Sequence, residues 1–226
     1  MTDKFTYSYF RISKTEGVAL SAQKYRNLRL NALQSSPASF SSTYEIEAAY
    51  TEADWVSLLT IPGREVFICA AISQNADQPR LNDAEWVGQV SIRGPLSPAD
   101  FTLPPESGQP APKWDTEEER WQMLSLFTLS EYRGQGLGKK LCQEALGYLQ
   151  FFRPQPSVVQ VRLMVKPSNH AAVKLYEGIG FLLVGRCALK EAFVANGDAH
   201  LLPADTSTPK FSERSGFIMM YRISRE

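Results

Sequence analysis

Near its middle the sequence passes from strand to helix through a glycine-rich turn. An apolar run ends near Leu129, glycines then alternate at Gly134, Gly136 and Gly138, and a helical pattern of Leu137, Leu141, Cys142, Ala145, Leu146 and Leu149 starts at once. Glycines let the backbone turn its amides outward and approach a ligand closely. A helix N-terminus directly behind them adds partial positive charge, so the stretch predicts a phosphate cradle. Two familiar phosphate motifs fail by count. In the P-loop spacing Arg133 stands where the first glycine is needed and Lys140 where Ser or Thr is needed. The dinucleotide fingerprint G-x-G-x-x-G is one residue longer than Gly134-Gln135-Gly136-Leu137-Gly138.

Around this turn the chain alternates strands and helices. An aromatic-rich strand is expected over residues 5–13 and a helix over 18–33. Ser35-Ser-Pro-Ala-Ser-Phe40 breaks that helix. Ser42 and Glu45 then suggest a capping box for a second helix reaching about Leu59, stopped by Pro62-Gly63. Strands follow over 65–72 and 85–92, joined as a hairpin by a polar turn. A Pro-rich stretch over 93–113 reads as an irregular insertion, and the acidic run Asp115–Glu119 as a solvated face. The strands at 121–129 and 158–165 are apolar at nearly every position, which predicts burial on both faces and a parallel strand-helix-strand unit. A helix from Asn169, a strand from Phe181 to about Leu189, an irregular stretch over 190–210 and a last strand over 217–223 complete the chain. The expected fold is a single α/β domain over 1–226, with a mixed, mostly antiparallel sheet flanked by helices and splayed between the two central strands.

Arg133, Gly136 and Gly138 fit the pattern Arg-x-x-Gly-x-Gly, which resembles the acetyl-CoA pyrophosphate motif of the GNAT superfamily of N-acetyltransferases. Downstream, Asn169-His-Ala-Ala-Val-Lys-Leu-Tyr-Glu-Gly-Ile-Gly-Phe181 resembles that family's later motif. The resemblance covers roughly residues 60–185. It implies acetyl-CoA as co-substrate and attack by a primary amine on the thioester through a tetrahedral intermediate. It also implies a pyrophosphate held by the amides of Gly134, Gln135, Gly136, Leu137, Gly138 and Lys139, with charge from Arg133 and Lys139. The pantetheine arm would lie along Phe127, Thr128 and Leu129, the Leu129 amide polarising the thioester carbonyl. Asn169, first a helix N-cap, would touch the arm. Tyr176, seven residues on, would be the general acid, although its spacing from Ala172 and Ile179 also reads as core.

The attacking amine must be neutral, and the carboxylates within reach of the central strands are Glu119 and Glu85; a water chain serves equally. His170 and His200 have no evident partners for nucleophilic catalysis. Basic and acidic side chains balance at 24 each, which argues against bulk attraction to nucleic acid or an anionic membrane. With long loops, that balance favours a small amine over a basic protein tail. Cys69, Cys142 and Cys187 are widely spaced in apolar sequence, so reduced packing residues are expected rather than a metal site. The N-terminal residues lack a signal-peptide pattern and no apolar run is long enough to span a bilayer, which predicts a cytoplasmic protein. The competing reading is an inactive acyl-CoA-binding module of the same fold.

Overall fold

The computed structural model describes residues 5–74 and 84–225. Strands β1 (Phe5–Arg11), β2 (Arg64–Ser73), β3 (Glu85–Arg93), β4 (Glu118–Thr128), β5 (Val158–Val165), β6 (Leu182–Cys187) and β7 (Gly216–Ser224) form a seven-stranded sheet. Their order is β1-β2-β3-β4-β5-β7-β6. β1 runs antiparallel to β2, and β7 antiparallel to both β5 and β6, whereas β4 and β5 are parallel. The parallel ladder covers only Glu118↔Val158 to Gln122↔Arg162, and both strands run on beyond it. The sheet is therefore mixed, mostly antiparallel and open between its central strands, as expected. The polar turn assigned to the hairpin lies outside the described residues.

The chain falls into two compact units. The first contains the residues up to Ser91 together with Ser125–Ala145. In it α1 (Val18–Ser35) lays Ala22, Tyr25, Leu28 and Ala32 inward. α3 (Glu52–Thr60) adds Trp55 and Leu59, with the Tyr25 and Trp55 rings edge-to-face at 6.1 Å. Burying side chains of this size contributes about 1.5–3 kcal/mol each. The second expected helix is two helices. Thr43, not Ser42, caps α2 (Tyr44–Ala48) by accepting from Ile46 N at 3.4 Å. A separate capping box then starts α3, where Thr51 and Asp54 exchange side-chain-to-backbone bonds. Thr51 and Asp54 are the stronger cap because both halves of the reciprocal pair form.

The second unit comprises Ile92–Leu124 and the residues from Leu146 onward. Trp121, Val159, Val161, Leu163, Phe181, Ile218 and Met219 are buried there. Three expectations need correction in it. The insertion over 93–113 is not wholly irregular: it forms α4 (Pro98–Phe101), capped by Ser97, and a 3-10 turn at Pro105–Ser107, and it buries Phe101 and Ser107. The stretch after β6 forms α7 (Leu189–Asn196), which ends at Gly197 in a left-handed conformation. Two further short turns follow, Ala199–Leu201 and α8 (Pro209–Ser212). Third, the acidic run is not a solvated face at its end, because β4 begins at Glu118, and Glu118 and Glu119 are buried. Arginines explain the burial. Glu119 pairs with Arg153 and Arg225, while Arg120 pairs with Asp115 and lies 3.7 Å from Glu118.

Candidate active site

In the first unit β4 leads out of the sheet into the glycine turn. A 3-10 turn at Ser130–Tyr132 follows Leu129, and Gly134 and Gly136 then adopt φ of 78° and 79°. Such left-handed values are open to glycine and strained for other residues. A Cβ at either position would meet no other protein atom within 4 Å, so crowding is not what demands glycine there and the space beside the turn is open. Helix α5 (Leu137–Phe151) begins at once, with Lys140 N closing its first turn onto Gly136 O at 3.1 Å. The amides of Leu137, Gly138 and Lys139 precede that bond and have no partner within the helix. Gly138 differs from its neighbours: it sits inside the first helical turn and needs no left-handed backbone.

Charge gathers at the same place. Arg133 is exposed, its Nε donates to Thr128 O at 3.1 Å, and its guanidinium lies 5.6 Å from the Phe127 ring centroid. That leaves both Nη groups without a partner among the described residues. Lys139 is exposed, and Lys140 is drawn along the helix to Glu144 at 2.9 Å. Gln135 accepts from the Tyr7 hydroxyl at 2.7 Å. The Phe127 side chain is buried against Phe40, so only its backbone can face a ligand.

The structure does not support the role expected for the Leu129 amide. Leu129 N donates to Val87 O at 2.9 Å, so its one proton is committed to β3. A feature that the sequence reading missed lies four residues earlier. Ser125 has φ 59°, the sole positive value at a non-glycine among the described residues, in the middle of β4. Gln89 Nε2 donates to Ser125 O at 3.3 Å, and Arg29 Nη1 reaches Ser125 Oγ at 3.4 Å. Arg29 is itself fixed by a buried bidentate pair with Glu47, at 2.9 and 2.6 Å. A positive φ at a non-glycine departs from strand geometry and is strained, so the surrounding contacts hold it there. No local sequence signal marks it, since the forces come from α1 and β3.

The two candidate bases differ. Glu85 is exposed at the start of β3 and accepts from the Tyr132 hydroxyl at 2.8 Å. Burial and that bond push the Tyr132 phenol well above its ordinary value, so Tyr132 stays a donor. In the second unit, Glu119 accepts from Arg153, Trp121 Nε1 and both Nη groups of Arg225. A carboxylate has about four lone-pair sites, and all are taken. Glu119 is thus held as a structural ion, with no lone pair left for an amine proton, contrary to the expectation that it could act as the base.

Also in the second unit, Asn169 caps α6 (His170–Glu177), its Oδ1 accepting from Ala172 N at 3.2 Å. Tyr176 is 8% exposed and sits edge-to-face on Phe181 at 5.7 Å. Both histidines are exposed. The three cysteines are buried and unbridged. Among the described residues no group of ligating side chains could hold a metal, and no helix is long and apolar enough to cross a membrane.

A glycine turn thus opens helix α5 at the end of the central strand β4, in a mixed sheet. The chain belongs to the acetyltransferase (GNAT) family, whose model matches residues 38–181. Over 97 residues it is 34% identical to N-alpha-acetyltransferase 30 of Saccharomyces cerevisiae, covering 42% of this chain and 50% of that protein. It thus spans about half the length of this relative. Arabidopsis thaliana NAA60 in complex with a bisubstrate analogue shares the fold with a TM-score of 0.56 at 16% identity, covering 97% of this chain and 100% of that one. An acetyltransferase of the family from Streptococcus pneumoniae gives 0.55 at 15% identity, with the same coverage.

Proposed function

We propose that this chain moves the acetyl group of acetyl-CoA to a primary amine, and that the glycine turn is where the pyrophosphate binds. The observation that carries this is the pair of left-handed glycines, Gly134 and Gly136, aiming an open turn at the start of α5. The residues fit an anion. Free amides at Leu137, Gly138 and Lys139 point with the helix dipole, and Arg133 and Lys139 add exposed positive charge. Thr128 and Leu129 lie on the chain leading into the turn. The amides around Ser125 replace that of Leu129 as candidates to polarise the thioester carbonyl, because the positive φ there turns the backbone away from regular strand geometry. Asn169 and Tyr176 keep the roles implied by the family, Tyr176 as the acid that protonates the departing thiolate. Glu85 is the remaining carboxylate candidate for deprotonating the amine.

For the acceptor, sequence composition favours a small amine, but the 34% identity to an N-alpha-acetyltransferase favours the α-amine of a polypeptide. One experiment tests both. Thiol release from acetyl-CoA is followed with a panel of polyamines, amino acids and short peptides with free N-termini. Turnover confined to peptides selects the second acceptor class. Binding of acetyl-CoA without thiol release from any amine would sink the catalytic reading.

A further inference from the structure

The second unit buries a cation that none of these roles uses. Arg162 of β5 is 0% exposed. Its Nε donates to Gln122 Oε1 at 2.7 Å, and its Nη1 to Phe101 O at 2.6 Å and Gln109 Oε1 at 2.8 Å. The guanidinium lies 4.1 Å from the Phe101 ring centroid. Nη2 is buried with no hydrogen-bond partner, and no carboxylate pairs with the group, among the described residues. Burial pulls its pKa down to about 10, and the charge of Arg93 acts in the same direction. Tying the 93–113 segment to β5 requires hydrogen bonds but no charge. A desolvated guanidinium held by neutral oxygens is a costly way to make that tie.

Its place in the fold supplies a reason. Gln122↔Arg162 is the last pair of the parallel ladder. Two residues further along the same strand faces, Leu124 and Met164 are half-buried rather than buried, so the cover thins just beyond the arginine. Both long connections reach this point: the first through Phe101 of α4 and Gln109, the second through Asn196 at the end of α7, whose Oδ1 accepts from Gln122 Nε2 at 3.0 Å.

We propose that Arg162, oriented by Gln122, is a specificity-determining residue that binds a carboxylate carried by the acceptor amine. The inference rests on the amine-acetylation reading above. One carboxylate oxygen takes Nη2, and the other displaces the half-buried Gln109 from Nη1, giving the two-pronged geometry for which a guanidinium is shaped. The carboxylate belongs either to a free amino acid or to an acidic first side chain of a peptide.

The test compares matched acceptors by thiol release: alanine against alaninamide, and peptides that begin with Glu against the same peptides beginning with Gln. The acid member of one pair is expected to be favoured about 10- to 100-fold in kcat/KM, carried by KM. Which pair shows the preference distinguishes free amino acid from peptide. Arg162→Met is expected to abolish the preference and Arg162→Lys to restore part of it, with the KM for acetyl-CoA unchanged. Equal rates for acid and amide members in both pairs overturn the inference and leave the activity standing. A preference that survives in a folded Arg162→Met overturns the assignment to this residue. Absence of thiol release with every amine removes the activity itself and the inference with it. If Arg162→Met does not fold, the wild-type comparison together with Arg162→Lys decides.

Discussion

Glu119→Gln separates a structural ion from a catalytic base. The substitution keeps the size of the side chain and removes its charge. Arg225, whose side chain is 3% exposed, then loses the carboxylate that neutralises it, although its bonds to Leu149 O and Pro156 O remain. Removing one partner of a buried pair costs about 3–5 kcal/mol, because the other charge stays buried. Arg153 adds little to the loss, since its side chain is 43% exposed and an exposed pair is worth about 0–1 kcal/mol. For a chain of this length each kcal/mol moves Tm by about 2–4 °C, so a fall of about 6–20 °C is expected. Adding Arg225→Met should recover part of it, as neighbours in one network are not additive. The assays are thermal and urea unfolding, with kcat measured well below the lowered Tm. Unchanged stability with a kcat reduced about 10²-fold or more would refute the structural assignment and return Glu119 to the chemistry.

Three further predictions follow from the same geometry. Tyr176→Phe keeps the edge-to-face packing on Phe181, so stability and acetyl-CoA affinity should hold while kcat falls about 10²-fold; wild-type kcat under rate-limiting chemistry would leave Tyr176 a core residue. Gly136→Ala meets no atom within 4 Å but is strained at φ 79°, at a cost of about 1–2 kcal/mol to the free protein; most of the melting shift induced by acetyl-CoA should disappear, whereas an undiminished shift would move the pyrophosphate elsewhere. Burial pushes the Cys142 thiol up to about 12 and those of Cys69 and Cys187 up to about 11, above the ordinary 9. The native thiols should therefore resist alkylation near neutral pH. The stability tied to them is intact below about pH 9 and lost as pH rises through 11 to 12, so alkaline urea titrations should show a falling midpoint.

What the sequence revealed of this fold was carried by local signals. β5 has the expected bounds, α5 starts at the glycines, and Asn169 caps α6, because periodicity, backbone preference and capping act within a few residues. Failures came where the deciding partner is remote. Glu119 is buried because of Arg153 and Arg225, 34 and 106 positions away, so a run of acids read alone suggested a solvated face. Ser125 is held at its positive φ by Gln89 and Arg29, 36 and 96 positions away. The break between α2 and α3 was local and still missed, because Ser42-x-x-Glu45 resembles the capping box that Thr51 and Asp54 form.

The two central strands show the limit of reading apolar runs as strands buried in hydrophobic surroundings on both faces. Along β5, Val159, Val161 and Leu163 face an apolar core. Arg162, on the opposite face, is just as buried, and so are Arg120 and Gln122 on β4. That face is a polar layer whose hydrogen bonds come from the 93–113 segment and from α7, which explains why those long connections fold instead of trailing. Burying arginines and glutamines costs more than burying valines, and close packing alone gives no reason to bear that cost. The layer ends where the parallel ladder ends, at Gln122 and Arg162, and there one guanidinium nitrogen is left without a partner. Departures from the simplest pattern concentrate where a fold serves a ligand. On that ground the polar face of β4 and β5, more than the glycine turn, is where this chain would select its acceptor.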